Sequence, residues 1–256
     1  MKYKLMNERK EGITLLEQVF LNRGMPLENI KHYLETDDKD ILDPSIITNI
    51  KDGVALLVKH IGEGSKVFLQ IDSDCDGFTS SAFLLNYLNR IFPGFVQNNI
   101  VYRPQEEKVH GIILDTVPED VSLVIVPDAS SDEFDKHKIL KDKGIDILII
   151  DHHHTSKYSE YACVINNQLD GYPTKSLSGV GMVYKFCQYL DKLLGINKAE
   201  EYIDLAALGN CGDMMSLRSI ETKHIITEGF KHNAVSTLFQ SLYLVALVLY
   251  PSTINL

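Results

Sequence analysis

The chain has 256 residues, 45% hydrophobic and 23% charged, which suffices for one large or two ordinary domains with a substantial core. Its net charge of -10 speaks against a uniformly basic clamp for nucleic acid, but it suits a site that collects divalent cations. Four cysteines without a C-x-x-C pair are no disulfide scaffold and imply a reducing, cytoplasmic setting. The N-terminus is polar and carries no secretory signal. No membrane span is expected, since the longest apolar run, 242–250, falls well short of roughly 20 residues.

The first sixty residues have helical character. Residues 13–22 place apolar side chains at helix spacing, and Arg23-Gly24 ends that run. Asp43-Pro44 has the form of a helix start, with an amphipathic segment continuing to about residue 61. From residue 66 the pattern alternates. Strands are expected at 67–71, 99–103, 122–126, 145–150 and 161–165, and helices at 79–92, 133–143, 179–194 and 198–208. This alternation predicts an α/β fold: a mostly parallel sheet with helices on both faces, preceded by a helical leader. The division expected is a leader over 1–62 packing on the core, a body over 63–232 and a tail over 233–256. The tail loses the charge pattern of the rest. It has two readings, a C-terminal helix packed on the core or the truncated start of a linker helix.

Acidic and imidazole residues gather where the predicted strands end. Asp72-Ser73-Asp74-Cys75-Asp76-Gly77 follows the first strand, Asp128 the third, and Asp151-His152-His153-His154 the fourth. Asp213 closes the segment DLAALGNCGD. Parallel strands bring their C-terminal ends to one edge, where open α/β sheets place their ligands. Carboxylates crowded there repel one another, and the natural counter-charge is a divalent cation. Carboxylate with imidazole suits Mn²⁺, with Mg²⁺, Fe²⁺ or Co²⁺ as substitutes. Two ions about 3.5–4 Å apart are a common device for phosphoester hydrolysis.

Each cluster also has a plainer reading. The D-x-D-x-D-G run resembles a calcium loop, but the Glu required six residues after the Gly is replaced by Phe83. Asp128 alone would cap a helix starting near Ser131. Asp151 and the three histidines could be a solvated loop, and Asp204 a helix-surface acid. Cys75 is expected to pack inward, and His110 and His137 to lie on the surface.

Taken in order, D-x-D-x-D-G, a strand-end Asp, D-H-H, L-S-G-V-G and A-L-G-x-x-x-D resemble the DHH phosphoesterase superfamily, and within it the RecJ single-strand exonucleases. Leu21-Asn22-Arg23-Gly24, Tyr102-Arg103-Pro104 with 107–111, and Asp204-Leu205-Ala206-Ala207-Leu208-Gly209 extend the resemblance over roughly residues 12–232. The resemblance implies that Asp74 and Asp76 bind one metal each and that Asp128 bridges the two. It makes His152 a ligand, with Asp213 closing the second site. His153 would contact the scissile phosphate or complete the metal shell. Asp72 and Asp151 would be ligands or orienting residues. Gly179 and Gly181, at a helix start, would offer N–H groups to a phosphate.

Two departures stand out. Gln70 replaces a His found in members that act on pyrophosphate, and Asp128-Ala129-Ser130 replaces the usual Asp-x-Gly. The Gly-rich, basic C-terminal domain of the family is not recognisable in the sequence. The implied function is 5′-to-3′ hydrolysis of single-stranded DNA with two Mn²⁺ or Mg²⁺ ions, and a partner chain is the expected source of the second domain. The rivals are a small-substrate phosphodiesterase, for oligoribonucleotides or cyclic dinucleotides, and an inactive truncated module.

Overall fold

The computed structural model describes residues 8–105, 110–169 and 171–231. The expected tail over 233–256 and part of the 107–111 segment lie outside these residues. Five strands form one sheet: β1 (Val67–Ile71), β2 (Ile100–Pro104), β3 (Leu123–Pro127), β4 (Asp146–Asp151) and β5 (Cys163–Asn166). Every pairing is parallel and the order is β2-β1-β3-β4-β5. The order reverses between β1 and β3. A crevice opens at such a switch point, outside the carboxyl ends of the strands.

Nine α-helices are found among the described residues: α1 (Leu15–Asn22), α2 (Leu27–Leu34), α3 (Ile50–Glu63), α4 (Cys75–Ile91), α5 (Pro93–Asn99), α6 (Phe134–Asp142), α7 (Gly179–Leu194), α8 (Ile203–Gly212) and α9 (Ile220–Lys231). Side chains alternate along each strand, so the sheet has two apolar faces. Leu69, Ile125, Leu148 and Ile165 join the larger core, which takes Leu57 of α3, Phe83 and Leu88 of α4, Val183 of α7 and Leu205 of α8. Phe68, Val124, Ile147 and Val164 face the smaller core, closed by Leu140 of α6 with Ile112 and Val121. β1 and β3 are buried throughout, whereas β2, at the edge, is largely exposed. Helices thus cover both faces of an all-parallel sheet.

Several elements differ from their sequence expectation. The helix expected from Pro44 is a single 3-10 turn, Pro44–Ile46, capped by Asp43. Asn49 then adopts a left-handed backbone (φ 62°), and the helix proper begins one residue later. The Asn49 side chain explains the break, donating from Nδ2 to the Val164 carbonyl at 2.9 Å and tying the loop to β5. α4 starts at Cys75, four residues before the expected start at 79, so the acidic run forms the helix N-terminus and not a loop. The expected helix 198–208 is a 3-10 turn, Ala199–Tyr202, leading into α8. α5 and α9 were not anticipated. Both carry polar residues where a clear apolar stripe would have revealed them.

Ser130 accounts for the departure from Asp-x-Gly. It sits at φ 79°, where glycine is at ease and an L-residue loses about 1–2 kcal/mol. Its hydroxyl donates to Glu133 Oε2 at 2.8 Å, a bond worth about 1 kcal/mol that offsets much of that cost.

Candidate metal centre at the strand ends

Asp74 caps α4, its Oδ1 accepting the Gly77 N–H at 2.8 Å. The turn is tight. A Cβ on Gly77 would lie 2.6 Å from the Asp72 carbonyl oxygen, so only glycine lets α4 start this close to the end of β1. Asp76, in the first turn of α4, points back across the crevice. Its Oδ1 accepts from Ser178 Oγ at 2.9 Å and from the Val180 N–H at 3.1 Å, and its Oδ2 from the Gly179 N–H at 2.5 Å. The α7 N-terminus therefore holds a carboxylate of the protein itself, as its dipole favours. The Gly179 N–H, expected to be offered to a phosphate, donates here to Asp76. Gly179 matters as a spacer instead, since a Cβ there would come within 2.5 Å of Asp128 Cβ.

Asp128 follows β3 in a left-handed conformation (φ 68°) and is 1% exposed. It caps no helix: α6 begins at Phe134, and the Ser131 N–H donates to Asp151 Oδ2 at 3.0 Å. His152 Nε2 lies 3.2 Å from Asp128 Oδ1, and 3.6 Å from both Asp76 Oδ2 and Asp213 Oδ2. Asp213 is the C-cap residue of α8.

Asp151 is fully buried at the end of β4. Its Oδ1 accepts the N–H groups of His152 at 2.7 Å and His153 at 3.1 Å, and meets His153 Nδ1 at 2.8 Å. With Oδ2 on Ser131, this carboxylate orients the His153 imidazole and anchors the His152 backbone. Burial works to raise its carboxyl, but His153 and the N–H donors outweigh it and hold it at about 2. The same bond to Asp151 lifts His153 to about 9, against the effect of burial.

Three groups of side chains each bring ligand atoms within 4.8 Å of one another: Asp76, His152 and Asp213; Asp72, Asp74 and Asp128; and Asp128, Asp151, His152 and His153. Asp128 thus belongs to the groups on both sides of it. Their electrostatics suit cations. Burial and the facing Asp76 carboxylate push the Asp128 carboxyl well above the usual range. Asp213 is raised too, by burial and by Asp76, with His152 opposing. Asp128 Oδ1 is buried without a hydrogen-bond partner among the described residues, although His152 stands close by. An orphaned carboxylate oxygen facing two other acids and an imidazole is a donor set a divalent ion fits.

The structure brings together all the candidate acids and His152 and His153, and adds residues the sequence did not single out. Ser178 holds Asp76. Asn166, fully buried at the end of β5, donates to Ser131 Oγ at 2.7 Å and to the His153 carbonyl at 2.9 Å. His110 is exposed, as expected, and its Nδ1 lies 2.9 Å from Asp72 Oδ2, beside the site. With His153 and His154 it lines a cavity of 350 Å³ beside the cluster. For Asn166 the signal was its place just past a predicted strand; for His110 there was none. Three expectations are corrected. His137 is buried, with Nδ1 3.1 Å from Ser159 Oγ. Asp204 is buried at the first turn of α8. Cys75 is exposed, since the start of α4 turns it outward against Gly212.

The description "DHH family, N-terminal domain" matches residues 66–210, more than half of the chain. The chain belongs to the DHH family. A Bacillus subtilis (strain 168) protein of SPbeta prophage origin, YorK, provisionally named a single-strand DNA-specific exonuclease, is 40% identical over 244 residues, covering 94% of this chain and 42% of its own length. The single-stranded-DNA-specific exonuclease RecJ of the same organism is 27% identical over 241 residues, 90% of this chain and 29% of its own. This DHH-family member therefore spans less than half the length of these curated relatives. A solved structure of exonuclease RecJ bound to manganese superposes with a TM-score of 0.70 at 22% identity, covering 82% of this chain and 54% of that one. That likeness shows the shared fold. No helix among the described residues is long and apolar enough to cross a membrane.

Proposed function

We propose that this DHH-family chain is a metal-dependent phosphodiesterase that shortens single-stranded DNA, with two Mn²⁺ or Mg²⁺ ions as cofactors. The observation that carries the reading is the buried Asp128 carboxylate, whose Oδ1 makes no hydrogen bond among the described residues and lies 3.2 Å from His152 Nε2, where the acid-rich groups meet. The 40% identity to a protein named for single-strand exonuclease activity supports the substrate class. The 5′-to-3′ direction is taken from the resemblance to RecJ.

In this proposal Asp76, His152 and Asp213 would hold one ion and Asp72 and Asp74 the other, with Asp128 available to both. When bound, such a pair supplies Lewis acidity for activating water and offsets charge on the phosphoryl oxygens. The protein's own residues fix the geometry. The α7 N-terminus and Ser178 aim Asp76. Asp151 fixes His153 through Nδ1, leaving Nε2 to donate to the scissile phosphate. A side chain charged at neutral pH suits that contact. Ligands placed on the ends of three strands and two helices reorganise little as charge develops.

The test is digestion of a 5′-phosphorylated, labelled single-stranded oligonucleotide in Mn²⁺, in Mg²⁺ and in EDTA, beside a chromogenic nucleotide phosphodiester. Metal-dependent shortening from the 5′ end is the expected result. Cleavage of the small ester alone would favour the small-substrate reading. Inertness of the folded protein toward both would sink the proposal and favour a partner module.

A further inference from the structure

A second concavity lies apart from the strand-end cavity. It is a groove of 580 Å³ between the α1–α2 turn and the segment joining α8 to α9. Gly24 (φ 86°) makes the turn. Phe20 of α1 meets Tyr33 of α2 edge to face, with ring centroids 5.3 Å apart. The Tyr33 hydroxyl donates to the Leu217 carbonyl at 2.9 Å, and Lys223 Nζ stands 5.0 Å from the ring centre. Aromatic walls are thus pinned in place against a segment that begins at Asp213, a proposed metal ligand.

The groove's charge is opposite to that of the chain. The sequence holds 35 acids against 25 lysines and arginines, yet the lining contains Arg23 and Arg218 and no carboxylate. Both arginines are exposed, and among the described residues neither forms an ion pair. Unpaired guanidinium groups beside aromatic and aliphatic walls are the combination that holds single strands, with phosphates on the cations and bases on the apolar surface. A purely apolar partner would leave both guanidinium groups unanswered. A polyanion with flat, apolar bases answers both features at once.

We propose that this groove is an accessory subsite for single-stranded nucleic acid, in which Arg23 and Arg218 take backbone phosphates and a base lies against the Phe20–Tyr33 wall. It rests on the nuclease reading above. The five residues from Asp213 to Arg218 span at most about 18 Å when extended, so a strand leaving the metal centre reaches the groove within a short stretch. The subsite adds affinity for polymer and takes no part in bond cleavage.

The experiment uses the full chain and an Arg23→Ala/Arg218→Ala double variant. Binding of a labelled oligothymidylate is measured in EDTA across a series of salt concentrations, and hydrolysis of the chromogenic diester is followed in Mn²⁺. The variant should bind the oligonucleotide more weakly. Its plot of log affinity against log salt should be shallower by about 1.4, the loss of two phosphate contacts. Its kcat/KM on the small diester should equal that of the parent, and Arg23→Lys/Arg218→Lys should restore the salt slope. If parent and double variant bind with equal affinity and slope while both hydrolyse the diester, the groove proposal falls and the nuclease reading stands. If the parent binds no single strand at all, the proposal also falls, and the groove is left to a protein partner.

Discussion

Asp128 concentrates the chemistry of the site in one side chain. It is buried, it faces Asp76, and one of its oxygens has no hydrogen-bond partner among the described residues. Its folded pKa is raised, so its contribution to stability is present at low pH and is lost as pH rises through that pKa. Without metal the protein therefore carries a liability at neutral pH. Asp128→Asn keeps a residue that tolerates the left-handed backbone and removes the charge. In EDTA near pH 7 this variant should be more stable than the parent by on the order of 1 kcal/mol and melt at a higher temperature, while hydrolysis in Mn²⁺ is lost. A lower melting point, or retained hydrolysis, would contradict the shared-ligand role. Asp72, Asp74, Asp76, Asp128, Asp151 and His152 were legible in the sequence because they follow predicted strands, and Asp213 because it closes the DLAALGNCGD segment. Ser178 and His110 were not assigned roles, because they act through carboxylates distant in sequence, and only the folded chain brings them together.

At the scale of elements, the strands and α7 were the most legible parts. Short apolar runs bounded by polar residues mark buried parallel strands, and α7 was placed at its observed bounds. The start of α4 was missed because Asp74, Cys75, Asp76 and Gly77 carry no apolar periodicity. Only the cap at Asp74 announces the helix. Asp146 shows how one residue holds several elements. At the start of β4 it meets Lys59 and His60 of α3 and Lys141 of α6. Burial opposes its ionisation, but these partners bring its carboxyl down to about 2. A depressed acid stabilises the fold above its unfolded pKa of about 4, and that stability is lost as pH falls toward 2. A shift of this size is worth at most roughly 2.5 kcal/mol, and the half-exposed lysines reduce it to about 1 kcal/mol. Denaturant melts of Asp146→Asn and parent should differ by that amount at pH 7, and the gap should shrink steadily as pH falls toward 2. A gap that stays constant over the same range would refute the linkage.

The whole molecule is arranged around its switch point. β1, β3 and β4 are adjacent in the sheet, so their C-terminal ends deliver Asp72, Asp128 and Asp151 with His152 to one crevice. α7 and α8 close it from the larger core with Ser178 and Asp213. The two-faced sheet was legible because strand residues alternate between two apolar sets. Strand order and the docking of α1 and α2 were not, since both depend on contacts far apart in sequence, such as Tyr33 with Leu217. The proposed function has one stoichiometric consequence: two ions would share Asp128. Counting Mn²⁺ per chain by titration calorimetry, with paramagnetic resonance to detect coupling between the ions, tests it most directly. The expected result is two coupled Mn²⁺ ions per chain in the parent and loss of the coupled pair in Asp128→Asn. A single uncoupled ion in the folded parent, or an unchanged pair in the variant, would contradict the two-ion centre built on Asp128.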